Sequence, residues 1–250
     1  MKITSVNNDL VKETAKLLKG KYRDETGLFL IEGEKGVKEA IEAGINIERI
    51  FVLEGINDYP EEKIIETTET VLSKISDAKS APKVVAVAHQ IKTGIYDIKN
   101  VKRVILLEGI KDAGNLGTIL RTASAFGIDG IVLYGDTVDL YNPKCVRSTV
   151  GSLWKTPVIK INDFKELKDI FSPYERVATL PLGAGVNIIK LEDYIPSKNV
   201  LIMFGSEANG LSEELKSFAT KNVTIEMAEN VESLNLSISV GVVAYKLKQV

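Results

Sequence analysis

The chain has 250 residues, 44% of them hydrophobic, a formal net charge of −2, one cysteine and one histidine. That length can bury a sizeable core in one large or two modest domains, while a lone Cys145 excludes an internal disulfide and a lone His89 leaves no ordinary zinc-ligand set. No apolar run approaches membrane-spanning length, and Met1-Lys2-Ile3-Thr4-Ser5 leads into charged residues, so no membrane, no metal and a cytoplasmic location are expected.

Residues 1–23 carry six basic side chains, Lys2, Lys12, Lys16, Lys19, Lys21 and Arg23, against Asp9 and Glu13. The overall charge argues against a nucleic-acid binder, and a solvated helix face explains such a cluster equally well. The local excess still makes Lys12, Lys16, Lys19, Lys21 and Arg23 the candidates for phosphate contact. Helical stretches around 8–19, 34–43 and 70–78 alternate with strands at Phe29-Leu30-Ile31, Arg49-Ile50-Phe51-Val52 and Val84-Val85-Ala86-Val87. Residues 1–95 therefore read as a small α/β domain. His89, just past the last of these strands, fits a structural place better than a catalytic pair. Residues 96–102 are polar, lack a sustained period and suit a linker.

Beyond the linker, strands are expected at 103–107, 130–134, 177–180, 199–204 and 222–225, with helices between them and a last helix running toward the C-terminus. That alternation gives a parallel sheet with helices on both faces. Three of the apolar runs, Val104-Ile105-Leu106-Leu107, Val200-Leu201-Ile202-Met203-Phe204 and Val223-Thr224-Ile225, are each followed by a polar cluster. The clusters are Asn115-Leu116-Gly117 with Arg121-Thr122-Ala123, then Gly205-Ser206-Glu207 with Gly210-Leu211, then Ser233-Leu234-Asn235. Open α/β sheets bind ligands at such strand ends. Two better-known loops fail to fit: Gly109 and Gly114 stand at P-loop spacing but Asn115 and Leu116 replace the Lys and Ser/Thr, and Gly183-Ala184-Gly185 has Ile188 where a dinucleotide fingerprint needs its third Gly. A second basic group, Lys144 and Arg147, is a weaker candidate for anion contact. Residues 233–240 alternate polar and apolar, which by periodicity predicts a strand.

Helical spacing puts Leu116, Ile119, Leu120 and Ala123 on a core face and Gly117 with Arg121 on another. Arg121 suits a phosphate or other planar anion, or else a structural ion pair. Asn115 could cap its helix. Glu207 could cap a helix starting near Leu211 and Ser212 or bind an arginine. Ser233 and Asn235 offer a hydroxyl and an amide to orient a sugar hydroxyl or cap the last helix. None of these is an ordinary general base near neutral pH.

In order and spacing, the three clusters resemble the three motifs of the SpoU (TrmH-like) family of RNA ribose 2′-O-methyltransferases, within the SPOUT superfamily. The resemblance implies an α/β catalytic domain over 103–250 with a deep trefoil knot, in which 233–240 start a helix. It also implies S-adenosyl-L-methionine as cofactor. Asn115, Arg121, Glu207, Ser233 and Asn235 match the family's catalytic positions, and Thr179, Leu180, Gly205, Ile225, Met227 and Leu234 its cofactor positions; read singly, the Leu and Met positions also suit core packing. Phe29-Leu30-Ile31-Glu32-Gly33 followed by Val37-Lys38-Glu39-Ala40 resembles the ribosomal-protein-like RNA-binding domain that precedes the catalytic domain in many members. Structured RNA, ribosomal before transfer RNA, is the implied substrate, and a homodimer the implied assembly. Glu226 stands where the family commonly has proline and Glu229 where it has glycine. A noncatalytic RNA-binding factor on the same fold and an unrelated phosphate-binding α/β enzyme are the competing readings.

Overall fold

Short β-branched and aromatic runs become strands here, and the amphipathic segments between them become helices. In chain order these are β1 (Lys2–Ile3), α1 (Asp9–Lys16), α2 (Gly20–Thr26), β2 (Leu28–Glu32), α3 (Glu34–Glu42), β3 (Ile47–Leu53), β4 (Ile64–Thr67), α4 (Glu69–Lys74) and β5 (Val84–His89). There follow α5 (Ile95–Ile98), β6 (Arg103–Glu108), α6 (Ala113–Phe126), β7 (Gly130–Tyr134), α7 (Pro143–Thr149), β8 (Val158–Ile161), α8 (Phe164–Phe171) and β9 (Glu175–Thr179). The chain ends with β10 (Ile188–Lys190), β11 (Val200–Phe204), α9 (Glu213–Phe218), β12 (Lys221–Thr224) and α10 (Leu236–Lys248). The computed structural model describes residues 1–98, 101–183, 187–229, 231 and 233–249. It divides into two units, Met1–Lys92 with Asp139–Trp154, and Thr93–Val138 with Lys155–Val250. Among the described residues no helix is long and apolar enough to cross a membrane. Residues 96–98 of the segment expected as a linker belong to α5, while its residues 99 and 100, like 184 and 185 of the Gly-Ala-Gly run, lie outside the described residues.

The first unit is built on a five-stranded sheet in the order β1-β4-β3-β5-β2, in which β5 runs antiparallel to both its neighbours. Phe51, Leu72 and Val85 are fully buried in its core. The helix expected over 8–19 is α1, which ends at Lys16, and α2 beyond it was not expected. After α1 the amides of Leu17, Leu18 and Lys19 tighten onto carbonyls three residues back, and Lys19 turns extended (ψ 134°) before Gly20 starts α2. Neither β1 nor β4 was anticipated. Asp139–Trp154, with α7, belongs to this unit, where Asp139 pairs with Arg23 and Arg147 with Glu32.

Those pairs correct two expectations. Arg23 is buried, its Nε donates to Asp139 Oδ2 at 2.6 Å and its Nη1 to the Leu17 carbonyl at 2.7 Å, so no phosphate can reach it and it leaves the RNA-contact set. Arg147 likewise pairs with Glu32 at 2.7 Å, a carboxylate whose side chain is 2% exposed and also accepts from Ser76 Oγ. Removing one member of a buried pair leaves the other desolvated and unmatched. Arg23→Ala is therefore expected to cost about 2–3 kcal/mol in urea unfolding, and a variant within error of wild type would show the pair to be incidental.

The second unit has a seven-stranded sheet, β10-β12-β9-β11-β6-β7-β8, with every pairing parallel. Leu106, Val132, Ala178 and Met203 on one face form a core with Leu167 and Phe171 of α8 and Leu215 of α9. Ile105 and Ile202, alternating with them, are as deeply buried, as a sheet covered on both faces requires. α6 and α10 pack together, with Leu116, Ile119, Leu120 and Ala123 buried on the first and Leu236, Val240, Val243 and Leu247 on the second. The alternation in 233–240 thus does not make a strand. Asn235 accepts the Ser237 amide and starts a helix there, a local cap outweighing a period of two.

Candidate active site at the carboxyl ends of the parallel strands

β9, β11 and β12 end around a cavity of about 270 Å³. Thr179 and Thr224 are the last residues of β9 and β12, and Phe204 is the last of β11, so the walls are strand ends and the turns that follow them. Thr179, Leu180, Gly205, Ile225, Met227 and Leu234 all line it, as do Glu207 and Ser233. Phe204, Ser206, Thr224, Leu236 and Ser239 line it too and were not singled out from sequence. Strand-end position could have found Phe204 and Thr224. The i, i+3 spacing of Leu236 and Ser239 could have added those two, had the last helix been placed.

The turn after β11 is tightly folded. The Gly210 amide donates to the Ser206 carbonyl at 2.9 Å, and the Ser212 amide donates to Glu108 Oε2 at 2.7 Å. A side chain at Gly205 would lie 1.9 Å from the Gly210 carbonyl carbon and 2.1 Å from the Leu211 nitrogen, so only glycine fits. Tyr134, whose phenol donates to Glu214 Oε2 at 2.9 Å, ties α9 to β7 below this turn. Burial, with that carboxylate, pushes the phenol far above its ordinary value, so it stays a donor at all working pH. α9 is capped by Ser212 and not by Glu207, leaving the Glu207 carboxylate for another partner.

That partner is Asn115. Asn115 Nδ2 donates to Glu207 Oε1 at 2.8 Å, and Asn115 Oδ1 accepts from Asn235 Nδ2 at 3.1 Å. Side chains from all three polar clusters thus meet in one hydrogen-bonded row. The cap of α6 is Asp112, which accepts the Asn115 amide at 2.7 Å, so Asn115 is not itself the cap. Asn235 does cap α10. Gly117 is buried in α6 and does not share the exposed face of Arg121. Arg121 is exposed and has no hydrogen-bond or ion-pair partner among the described residues.

The group implied by the sequence resemblance, S-adenosyl-L-methionine, fits this cavity on three observations. The wall at Gly205 leaves backbone open to close approach. The Thr224 hydroxyl is buried without a partner among the described residues. The lining mixes apolar side chains with hydroxyls and a single carboxylate, which suits a ligand that is part nucleoside and part cation. At the two departures, Glu226 is exposed and pairs with Lys190 of β10 at 2.7 Å, a carboxylate that raises the Lys190 ammonium above its usual value, and Glu229 is exposed.

In the first unit, Lys12, Lys16, Lys19 and Lys21 are exposed. Lys12 lies 3.3 Å from Asp9, Lys21 3.8 Å from Glu25, and Lys16 sits 5.7 Å from the Tyr22 ring centre. Such exposed pairs are weak enough for a phosphate to displace.

A model of the SpoU rRNA methylase family matches residues 102–245, and one of the MRM3-like substrate binding domain matches residues 8–86. The chain is 28% identical over 98% of both lengths to the 23S rRNA (guanosine(2553)-2′-O)-methyltransferase RlmP of Bacillus subtilis. It is 30% identical, over 99% of its own length and 93% of the other, to an uncharacterized tRNA/rRNA methyltransferase of Synechocystis. Among solved structures, the AdoMet-bound rRNA methyltransferase from Sinorhizobium meliloti superposes with a TM-score of 0.88 at 30% identity, covering 100% of this chain and 97% of that one.

Proposed function

We propose, since this chain belongs to the SpoU rRNA methylase family, that it methylates a ribose 2′-hydroxyl of structured RNA, ribosomal RNA in particular, at the carboxyl ends of its parallel strands. Glu207 carries this reading, because it lines the cavity and also ends the Asn235-Asn115 row, so cofactor space and polar row share one residue. S-adenosyl-L-methionine, when bound, supplies an activated methyl group. Thr179, Leu180, Gly205, Ile225, Met227 and Leu234 would hold it. The Thr179 hydroxyl is committed to the Met203 carbonyl at 2.8 Å, so that residue offers chiefly its backbone and methyl.

The protein's own contribution is position and charge. The ribose hydroxyl must give up its proton, to water or another solvent acceptor, for its oxygen to take the methyl group; negative charge grows on the oxygen as the proton leaves and is cancelled as the new oxygen–carbon bond forms. Uncommitted N–H groups of Asn115 and Asn235, the Ser233 hydroxyl and the Arg121 guanidinium are the donors that can face that oxygen and an adjoining phosphate. Ribosomal RNA is favoured as substrate by the 23S rRNA relative and by the MRM3-like substrate binding domain over 8–86. Residues 1–95 then form the RNA-binding part, with Lys12, Lys16, Lys19 and Lys21 as phosphate contacts, and 103–250, apart from the Asp139–Trp154 segment that belongs to the first unit, the catalytic part. The deep trefoil knot of the family belongs to the same reading; the insertion of β12 between β10 and β9 supports it.

A homodimer is supported by α10. Ile238, Val242 and Tyr245 recur at helical spacing on it and are 39–53% exposed, an apolar stripe beginning beside the site. Ile238→Glu combined with Val242→Glu is expected to convert a dimer to a monomer in analytical ultracentrifugation; a wild-type monomer, or a double variant of unchanged mass, rejects the stripe as the interface.

The decisive assay incubates the protein with unmodified total ribosomal and transfer RNA and radiolabelled S-adenosyl-L-methionine, then maps the label. Label on one ribose 2′-oxygen of ribosomal RNA is expected. Label in transfer RNA reassigns the substrate. No label, together with no cofactor binding by calorimetry, points instead to a noncatalytic RNA-binding factor.

A further inference from the structure

Ser237 does not line the cavity. It is buried in the first turn of α10, two residues after the cap, where its hydroxyl has no helical carbonyl four residues back to satisfy it. It donates instead to Asn235 Oδ1 at 2.6 Å, and the Ser237 amide donates to the same oxygen at 2.9 Å. We propose that Ser237 is a positioning residue that sets the donor direction of the whole Asn235-Asn115-Glu207 row, an inference that rests on the reading of that row as part of the methyl-transfer site.

An amide oxygen has two lone pairs, and Ser237 fills both. Turning the Asn235 amide over would set its NH2 group against a backbone N–H, which cannot reverse, and against a hydroxyl, which would have to. Asn235 Nδ2 is therefore held outward onto Asn115 Oδ1. With its oxygen engaged, Asn115 must present Nδ2 to Glu207; the reverse orientation would oppose two NH2 groups at one end and an amide oxygen to a carboxylate at the other. One direction of donation thus runs from α10 to an anion. It leaves an N–H on each asparagine and Oε2 of Glu207 without a partner among the described residues. Two donors and one acceptor complement a ribose hydroxyl, which gives one hydrogen bond and accepts others. Without the Ser237 hydroxyl, one lone pair of Oδ1 is empty, and the row loses the shorter of the two contacts that fix the Asn235 side chain, leaving the backbone N–H alone to hold it.

The test compares the full chain with Ser237→Ala, Ser237→Thr, Asn235→Ala and the Ser237→Ala/Asn235→Ala double variant, each by kcat, cofactor KM and melting temperature. Ser237→Ala is expected to lose about tenfold in kcat, the loss of one good hydrogen bond, with KM little changed. Ser237→Thr restores most of the rate, because the hydroxyl returns. The double variant turns over as Asn235→Ala does, because Ser237 acts only through Asn235. A role confined to helix stability would lower the melting temperature alone. Wild-type kcat in Ser237→Ala, or losses that multiply in the double variant, overturns the proposal. If the wild-type protein transfers no methyl group, the proposed function falls and the row is judged by nitrogen-15 NMR of the asparagine side-chain amides. Severalfold faster exchange of the Asn235 amide protons in Ser237→Ala is then expected, and unchanged exchange overturns the inference.

Discussion

Arg121→Ala is expected to lower kcat roughly 100- to 1,000-fold, the range seen when one preorganised donor to a developing oxyanion is removed, while leaving fold and cofactor affinity close to wild type. The structure separates these effects because the guanidinium lies exposed on α6 and bonds to nothing among the described residues. Truncation breaks no native contact there, and arginine and alanine have similar helix propensities, so a stability change within about 0.5 kcal/mol is expected. Arg121 also does not line the cavity. On the proposed reading it acts on RNA and on the transition state, so KM for RNA should rise while calorimetric affinity for S-adenosyl-L-methionine holds. Arg121→Lys keeps the charge but not the planar fork and should recover only part of the rate. A drop of several degrees in melting temperature would instead reveal a structural arginine, and an unchanged kcat would remove it from the site. A guanidinium stays protonated near neutral pH and makes a poor base, so a chemical step that titrates between pH 6 and 9 would require another group.

Much of the catalytic unit was legible because buried parallel strands announce themselves. Val104–Leu107 and Val200–Phe204 are continuous apolar runs ending in glycine and polar residues, and the cavity opens at the end of the second of them. Short edge strands were not legible: β1 has two residues and β10 three, too few for any period to register. At Ser233–Val240 periodicity alone points to a strand and the family resemblance to the start of a helix; the helix forms, because a cap decides locally and alternation over a few residues cannot outvote it. Arg23 was read by charge as a phosphate contact. Its true partner, Asp139, is 116 residues away, and long-range pairing leaves no trace in local composition. The same limit hid the packing of Asp139–Trp154 with the first unit. Asn115 shows a subtler failure: a cap position three residues upstream, at Asp112, was available, and choosing it would have released Asn115 for the row with Glu207 and Asn235.

Gly205→Ala is expected to abolish measurable cofactor binding, a loss of more than about 100-fold, and to destabilise the second unit by about 2–3 kcal/mol through overpacking. The added carbon would meet the Gly210 carbonyl carbon at 1.9 Å, the Leu211 nitrogen at 2.1 Å and the Gly210 oxygen at 2.2 Å. All three are backbone, so no rotamer change relieves them, and the turn must retreat by about an ångström to reach even the 3.0 Å limit of real contacts. It is not free to do so: Gly210 is hydrogen-bonded to Ser206 and Ser212 to Glu108 across the same few residues. Any retreat moves Ser206, Glu207 and Gly210, three residues of the cavity wall, and takes Glu207 away from Asn115. Gly210→Ala separates this steric effect from glycine's conformational role. Gly210 has φ +66° but nothing within 4 Å of its would-be side chain, so alanine there costs about 1–2 kcal/mol of backbone strain without filling space. Titration calorimetry with S-adenosyl-L-methionine should therefore rank wild type first, Gly210→Ala within a fewfold, and Gly205→Ala without detectable heat. Near-normal binding by a folded Gly205→Ala protein would mean that the turn yields easily or that the cofactor sits elsewhere. Loss of binding in both variants would mean that the turn's backbone conformation, and not the space at Gly205, is what the cofactor reads.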